Sequence, residues 1–150
     1  MDKICTTIEQ SKKLIELGID INTADMYYKY VLPKSDKIHH IPEIGNPINS
    51  LIWYNKGYTF RGKREPITLN EYCIPCWSLN ALLELMPKNE SKTIDLCLGG
   101  SNGEEHTFDW FCTCDENEDP YDYKTFHSKS PIDCTFEMIV WLKEVEKKGE

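Results

Sequence analysis

Seven cysteines in a chain of 150 residues are the side chains here best equipped for chemistry. Cys73-Ile74-Pro75-Cys76 and Cys112-Thr113-Cys114 supply four thiols in two close pairs. Zinc accepts a tetrahedral thiolate set because the ion is borderline-soft and has no d-electron preference for another geometry. Cys73, Cys76, Cys112 and Cys114 are therefore a candidate metal site, and zinc is the one cofactor the pattern admits. Against it, the second pair is C-x-C rather than C-x-x-C, and no knuckle glycine follows either pair. On a strand, Cys112 and Cys114 would share a face with Trp110, as core residues do. Reduced, buried thiols are the competing reading, and the odd total, completed by Cys5, Cys97 and Cys134, favours it. Cys-Ile-Pro-Cys also has the spacing of a redox dithiol, set before a predicted helix whose positive end would lower the first thiol's pKa. The parallel-strand pattern that normally precedes such a motif is missing.

Other reaction centres are harder to assemble. A Cys/His hydrolase needs an imidazole near a thiol, and nothing in the spacing pairs His39, His40, His106 or His127 with one. Asp115, Asn117 and Asp119 occupy the first, third and fifth positions of a calcium loop. Pro120 then stands where the turn wants glycine, and Phe126 where a bidentate glutamate belongs, so a solvated acidic turn is the better description. The chain has no P-loop, dinucleotide fingerprint, H-E-x-x-H or G-x-S-x-G. No catalytic residue is assigned.

Charge supplies two binding hypotheses. The net charge is -8, and eight acidic residues lie between Glu104 and Asp122, among them Asp115, Glu116, Glu118 and Asp119. Such a surface could occupy a basic groove on a nucleic-acid enzyme, with complementary fields speeding encounter. Residues 29 to 64 run the other way, with Arg61, Lys63 and Arg64 following Trp53, Tyr54, Tyr58 and Phe60. A basic hairpin of that kind could track a phosphate backbone and stack on bases, although an aromatic inner face with a solvated outer one accounts for the same residues.

The elements that must position these groups follow from periodicity and caps. Thr7-Ile8-Glu9-Gln10 has the form of a capping box, and Gly18 offers a stop. Asn22 to Asp25 is a second N-terminal signal, predicting a short aromatic helix from Met26 that ends before Pro33. Residues 33 to 50 read as a loop, and Trp53 to Phe60 as a hairpin around Asn55-Lys56-Gly57. Leu79, Leu82, Leu83 and Met86 keep helical spacing within a helix predicted over Trp77 to Met86. Thr93 to Leu98 and His106 to Cys114 read as antiparallel strands joined by Gly99 to Gly103, with a third strand over Tyr121 to Phe126. Ser130, Pro131 and Asp133 open a final helix whose apolar residues spread around much of its circumference, so it should be buried on more than one side.

A chain of this length can bury about 70% of its unfolded surface, enough for one compact domain without staples. The order of elements predicts an α+β fold, a small antiparallel sheet packed against helices. No apolar run is long enough to span a bilayer and the opening residues lack a secretory pattern, so a cytoplasmic location without membrane association is expected.

Three stretches carry a family resemblance: Thr7 to Tyr28, Ile74 to Pro87 and Pro131 to Leu142. They resemble a family of small uncharacterised proteins from gut bacteria, their phages and their mobile elements. The family pattern has a small apolar residue where this chain has Cys76, and often where it has Cys134, so the resemblance implies no shared role for these thiols. It implies a genomic setting and brings no activity with it. Together the residues and the resemblance lead to a non-enzymatic accessory module of a phage or mobile element that binds a protein partner. A zinc-stabilised domain and an acidic decoy are the alternatives, with nucleic acid a less favoured partner.

Overall fold

The computed structural model describes residues 3–31, 39–47, 73–87, 92–100, 108–116 and 123–149. The fold is α+β, as the order of elements predicts. The sequence reading counts one domain. The chain divides into two compact units, one of Cys5–Ala81 and one of Met1–Ile4 with Leu82–Glu150.

In the Cys5–Ala81 unit, helix α1 (Ile8–Glu16) opens with the predicted capping box. The Gln10 amide donates to Thr7 Oγ1 at 3.1 Å and the Thr7 amide to Gln10 Oε1 at 2.9 Å, satisfying two amides that the helix itself cannot pair. At the other end Gly18 takes φ 86°. Its amide reaches the Ile15 carbonyl at 3.0 Å while the Ile19 amide reaches that of Leu14 at 3.1 Å. That pairing is a Schellman closure, which needs the left-handed conformation glycine adopts without strain.

After a 3-10 turn (Ile21–Thr23), strand β1 (Met26–Val31) replaces the expected aromatic helix. Tyr27, Tyr28, Tyr30 and Val31 are aromatic or β-branched residues that suit a pleated surface. The apparent helix cap is also used elsewhere. Asp20 Oδ1 accepts from the Asn22 amide at 2.9 Å, within the 3-10 turn. The Asp25 carboxylate accepts from the Ser78 amide at 2.9 Å and from the Ser78 hydroxyl.

Strand β2 (His39–Ile44) lies in what the sequence reads as loop, running antiparallel to β1 with Met26 opposite Ile44 and Val31 opposite His39. Its Pro42, which suggests a break, is tolerated because among the described residues β2 pairs on one side only, and a missing amide on the other side need not cost a ladder bond. Strand β3 (Cys73–Cys76) pairs with the other side of β1, so the sheet order is β2-β1-β3. The proposed hairpin over Trp53 to Phe60 lies outside the described residues.

Helix α2 (Leu79–Glu84) is shorter than the predicted Trp77 to Met86. Ser78 is its cap, its Oγ accepting from the Ala81 amide at 3.2 Å. The helix ends in i to i−3 bonds from the amides of Leu85 and Met86. The expected apolar face is kept only in part: Leu82 and Met86 are buried, whereas Leu83 is exposed.

In the second unit, β4 (Lys92–Gly100), β5 (Phe108–Glu116) and β6 (Tyr123–Ser128) form an antiparallel sheet in that order. Gly99 and Gly100, read as part of the connection, continue the ladder opposite Asp109 and Phe108. Helix α3 (Pro131–Gly149) packs on β5 and β6. Ser130 Oγ caps it by accepting from the Asp133 amide at 3.4 Å. Ile132, Cys134, Thr135, Met138, Ile139 and Leu142 are buried, while Phe136, Val140 and Trp141 are half-buried around the remaining circumference, as the sequence leads one to expect.

Candidate functional site

The most reactive constellation is in the Cys5–Ala81 unit, and sequence spacing does not reveal it. Residues 73 and 76 sit three apart on a strand, so their side chains leave opposite faces of β3. Cys73 turns toward the Pro47 carbonyl, donating its thiol proton at 3.6 Å. Cys76 instead joins Cys5, Met26 and the half-buried Tyr28 in one apolar cluster. The C-x-x-C spacing therefore does not make a dithiol, and the thiol that meets Cys76 comes from the N-terminal segment.

The backbone holds the two sulfur-bearing segments side by side. The Thr6 amide donates to the Trp77 carbonyl at 2.9 Å, and the Trp77 amide returns a bond to Thr6 Oγ1 at 3.1 Å. Each clamped residue directly follows one of the cysteines. Thr6 is fixed in turn, its hydroxyl bonded to Ser11 Oγ at 2.8 Å, and Trp77 Nε1 donates to Thr23 Oγ1 at 2.9 Å. Thr6, Trp77 and Cys76 are fully buried, and Cys5 is 4% exposed.

Electrostatics separates the pair. A hydrogen bond from Cys76 pulls the Cys5 thiol down to about 7 from an ordinary 9.0; burial opposes this, and Tyr28 adds to it. The neutral Cys5 thiol donates to Tyr28 Oη at 3.5 Å, while the Tyr28 hydroxyl donates to the Thr6 carbonyl at 2.7 Å. Cys76 is driven upward because its proton is the one shared with Cys5, and because it is buried. Burial likewise raises Tyr28. The arrangement is thus one activated thiol beside one that keeps its proton, the asymmetry that thiol exchange chemistry uses.

The second unit has a thiol group of another kind. Cys112 and Cys114 share the buried face of β5, as alternation predicts, at 0% and 1% exposure. Cys134 approaches from α3 close enough for its charge to bear on Cys112. Burial pushes Cys112 up to about 12 and raises Cys134 as well, so these are inert core thiols. The opposite face is polar and aromatic. His127 Nδ1 lies 3.4 Å from Asp109 Oδ2, its ring tilts over Phe111, and the Thr113 and Thr125 hydroxyls meet at 3.1 Å.

The four cysteines of the candidate zinc set fall two in each unit. Among the described residues no three His, Cys, Asp or Glu side chains are placed to hold a metal ion. Of the acidic candidates, Asp115 is exposed near the end of β5 and Glu116 closes that strand, so the acidic stretch starts inside the sheet rather than in a turn. Glu118, Asp119, Trp53, Tyr58, Arg61, Lys63 and Arg64 lie outside the described residues. Among the described residues, no helix is long and apolar enough to cross a membrane. Comparison with protein-family models, with curated proteins and with solved structures finds no match to this chain.

Proposed function

We propose that this chain is a non-enzymatic accessory protein of a phage or mobile element, working in the bacterial cytoplasm by binding another protein along the outer edge of β2. The observation that carries the reading is Ile44, which is 87% exposed at the end of that strand. Ile41, on the same strand, is 48% exposed. Edge strands are usually blunted by charge, because unpaired amides and carbonyls beside apolar side chains template the addition of another strand. Among the described residues, β2 pairs only with β1. A partner segment laid along the outer edge would extend the ladder and cover Ile44, and full burial of an isoleucine is worth about 1.5 to 3 kcal/mol.

The test replaces Ile44 with the photocrosslinking amino acid p-benzoylphenylalanine in a gut bacterium producing the protein. A control carries the same group in place of Glu144, on the exposed final turns of α3. A light-dependent adduct to one protein from position 44 and not from position 144 is the expected result. No adduct at position 44, or the same adducts at both positions, rejects the reading.

A further inference from the structure

We infer that Cys5 and Cys76 form a reversible redox site, a dithiol that a small hydroperoxide oxidises to an intramolecular disulfide. Three observations converge on it. The two thiols share one cluster with Met26 and Tyr28. The reciprocal bonds between Thr6 and Trp77 hold side by side the two cysteines that directly precede them. Both cysteines are free thiols, so neither sulfur is committed to another partner.

The chemistry balances without any further reactant. The Cys5 thiolate attacks one oxygen of hydrogen peroxide, breaking the O–O bond; the departing hydroxide takes up the proton that Cys5 released and leaves as water. Cys5 is then a sulfenic acid. The Cys76 sulfur attacks the Cys5 sulfur, the S–S bond forms and the S–O bond breaks, and hydroxide leaves with the Cys76 proton as a second water. Overall, two thiols and one peroxide give one disulfide and two waters.

The division of labour follows the surroundings of each sulfur. Cys5, the thiol lowered to about 7, is the more readily ionised of the two and, at 4% exposure against 0% for Cys76, the residue nearer to solvent. Cys76, fully buried and kept protonated, resolves the intermediate and is shielded from direct attack. This assignment is independent of the β2 edge.

The experiment uses the full chain with Cys97→Ser, because Cys97 is exposed and would otherwise form bonds between molecules. The reduced protein is treated with equimolar hydrogen peroxide at pH 7, blocked with N-ethylmaleimide, digested and mapped by mass spectrometry. The expected product links the Cys5 and Cys76 peptides, forms about tenfold or more faster than any modification of Cys73, Cys112 or Cys134, and is reversed by dithiothreitol. In the added Cys76→Ser variant, dimedone should trap a sulfenic acid on Cys5. Absence of the Cys5–Cys76 peptide in the Cys97→Ser protein, or equal oxidation of all buried thiols, overturns the assignment. Because that measurement keeps both cysteines, a folding defect in the serine variant cannot rescue or sink it.

Discussion

Individual thiols in this protein carry opposite charge preferences, and the difference has a consequence for stability against pH. Cys5 is lowered to about 7 in the fold from 9.0, so its contribution is fully present above pH 9 and is lost as pH falls through 7. Cys73 and Cys112 are raised by burial to about 11 and about 12. Their contribution is present below pH 9 and is lost as pH rises toward those values, because the unfolded chain ionises them and the folded chain does not. The thiols together therefore place a stability maximum near pH 9. At its steepest, each changes unfolding free energy by about 1.4 kcal/mol per pH unit. Urea midpoints should rise from pH 7 to 9 and fall by pH 10.5. Cys5→Ala should remove the rise while leaving the fall, and a flat profile in the unaltered protein would contradict the assignment of these shifts.

Helix ends and strand faces show how local rules and burial divide the work. The capping box at Thr7 satisfies first-turn amides that the helix itself cannot pair, so Thr7→Ala should cost about 1 kcal/mol, read as a shift in the denaturation midpoint. Met138 on α3 is fully buried, while Glu144 two turns on is exposed. Met138→Ala should cost about 2 to 5 kcal/mol, and Glu144→Ala should fall within about 0.5 kcal/mol. Equal effects would mean that α3 is not the buried partner of β5 and β6. In β3 the same logic explains a failed reading. The burial of all four residues leaves no polar face, and strand parity sends Cys73 and Cys76 apart.

For the chain as a body, charge is the governing property. With a net charge of -8 and a pI near 5.0, copies repel one another at neutral pH. Solubility should pass through a minimum near pH 5, where that repulsion vanishes and exposed Ile41, Ile44 and Leu98 are free to associate. Turbidity between pH 4 and 8 checks this, and Ile44→Lys should relieve part of the loss. A minimum that ignores Ile44→Lys would show that β2 is not a sticky edge.

The α+β class, α1 with its box and glycine stop, the ladder from β4 to β6 and the many-sided burial of α3 were legible in the residues. Each depends on groups within a few positions of one another, where periodicity and capping act directly. β1 and β2 escape the local rules because the Asp25 carboxylate binds Ser78, the cap of α2 53 residues away, rather than its own neighbours, and because Pro42 sits on a strand that, among the described residues, pairs on one side only. The Cys5–Cys76 pair was invisible for the same reason: Cys5 follows no motif, and only the clamp between Thr6 and Trp77, residues 71 apart in the chain, brings its sulfur to its partner. Contacts at that separation form because folding repays their loop-closure entropy with burial of the surrounding core, a term that no local pattern of residues records.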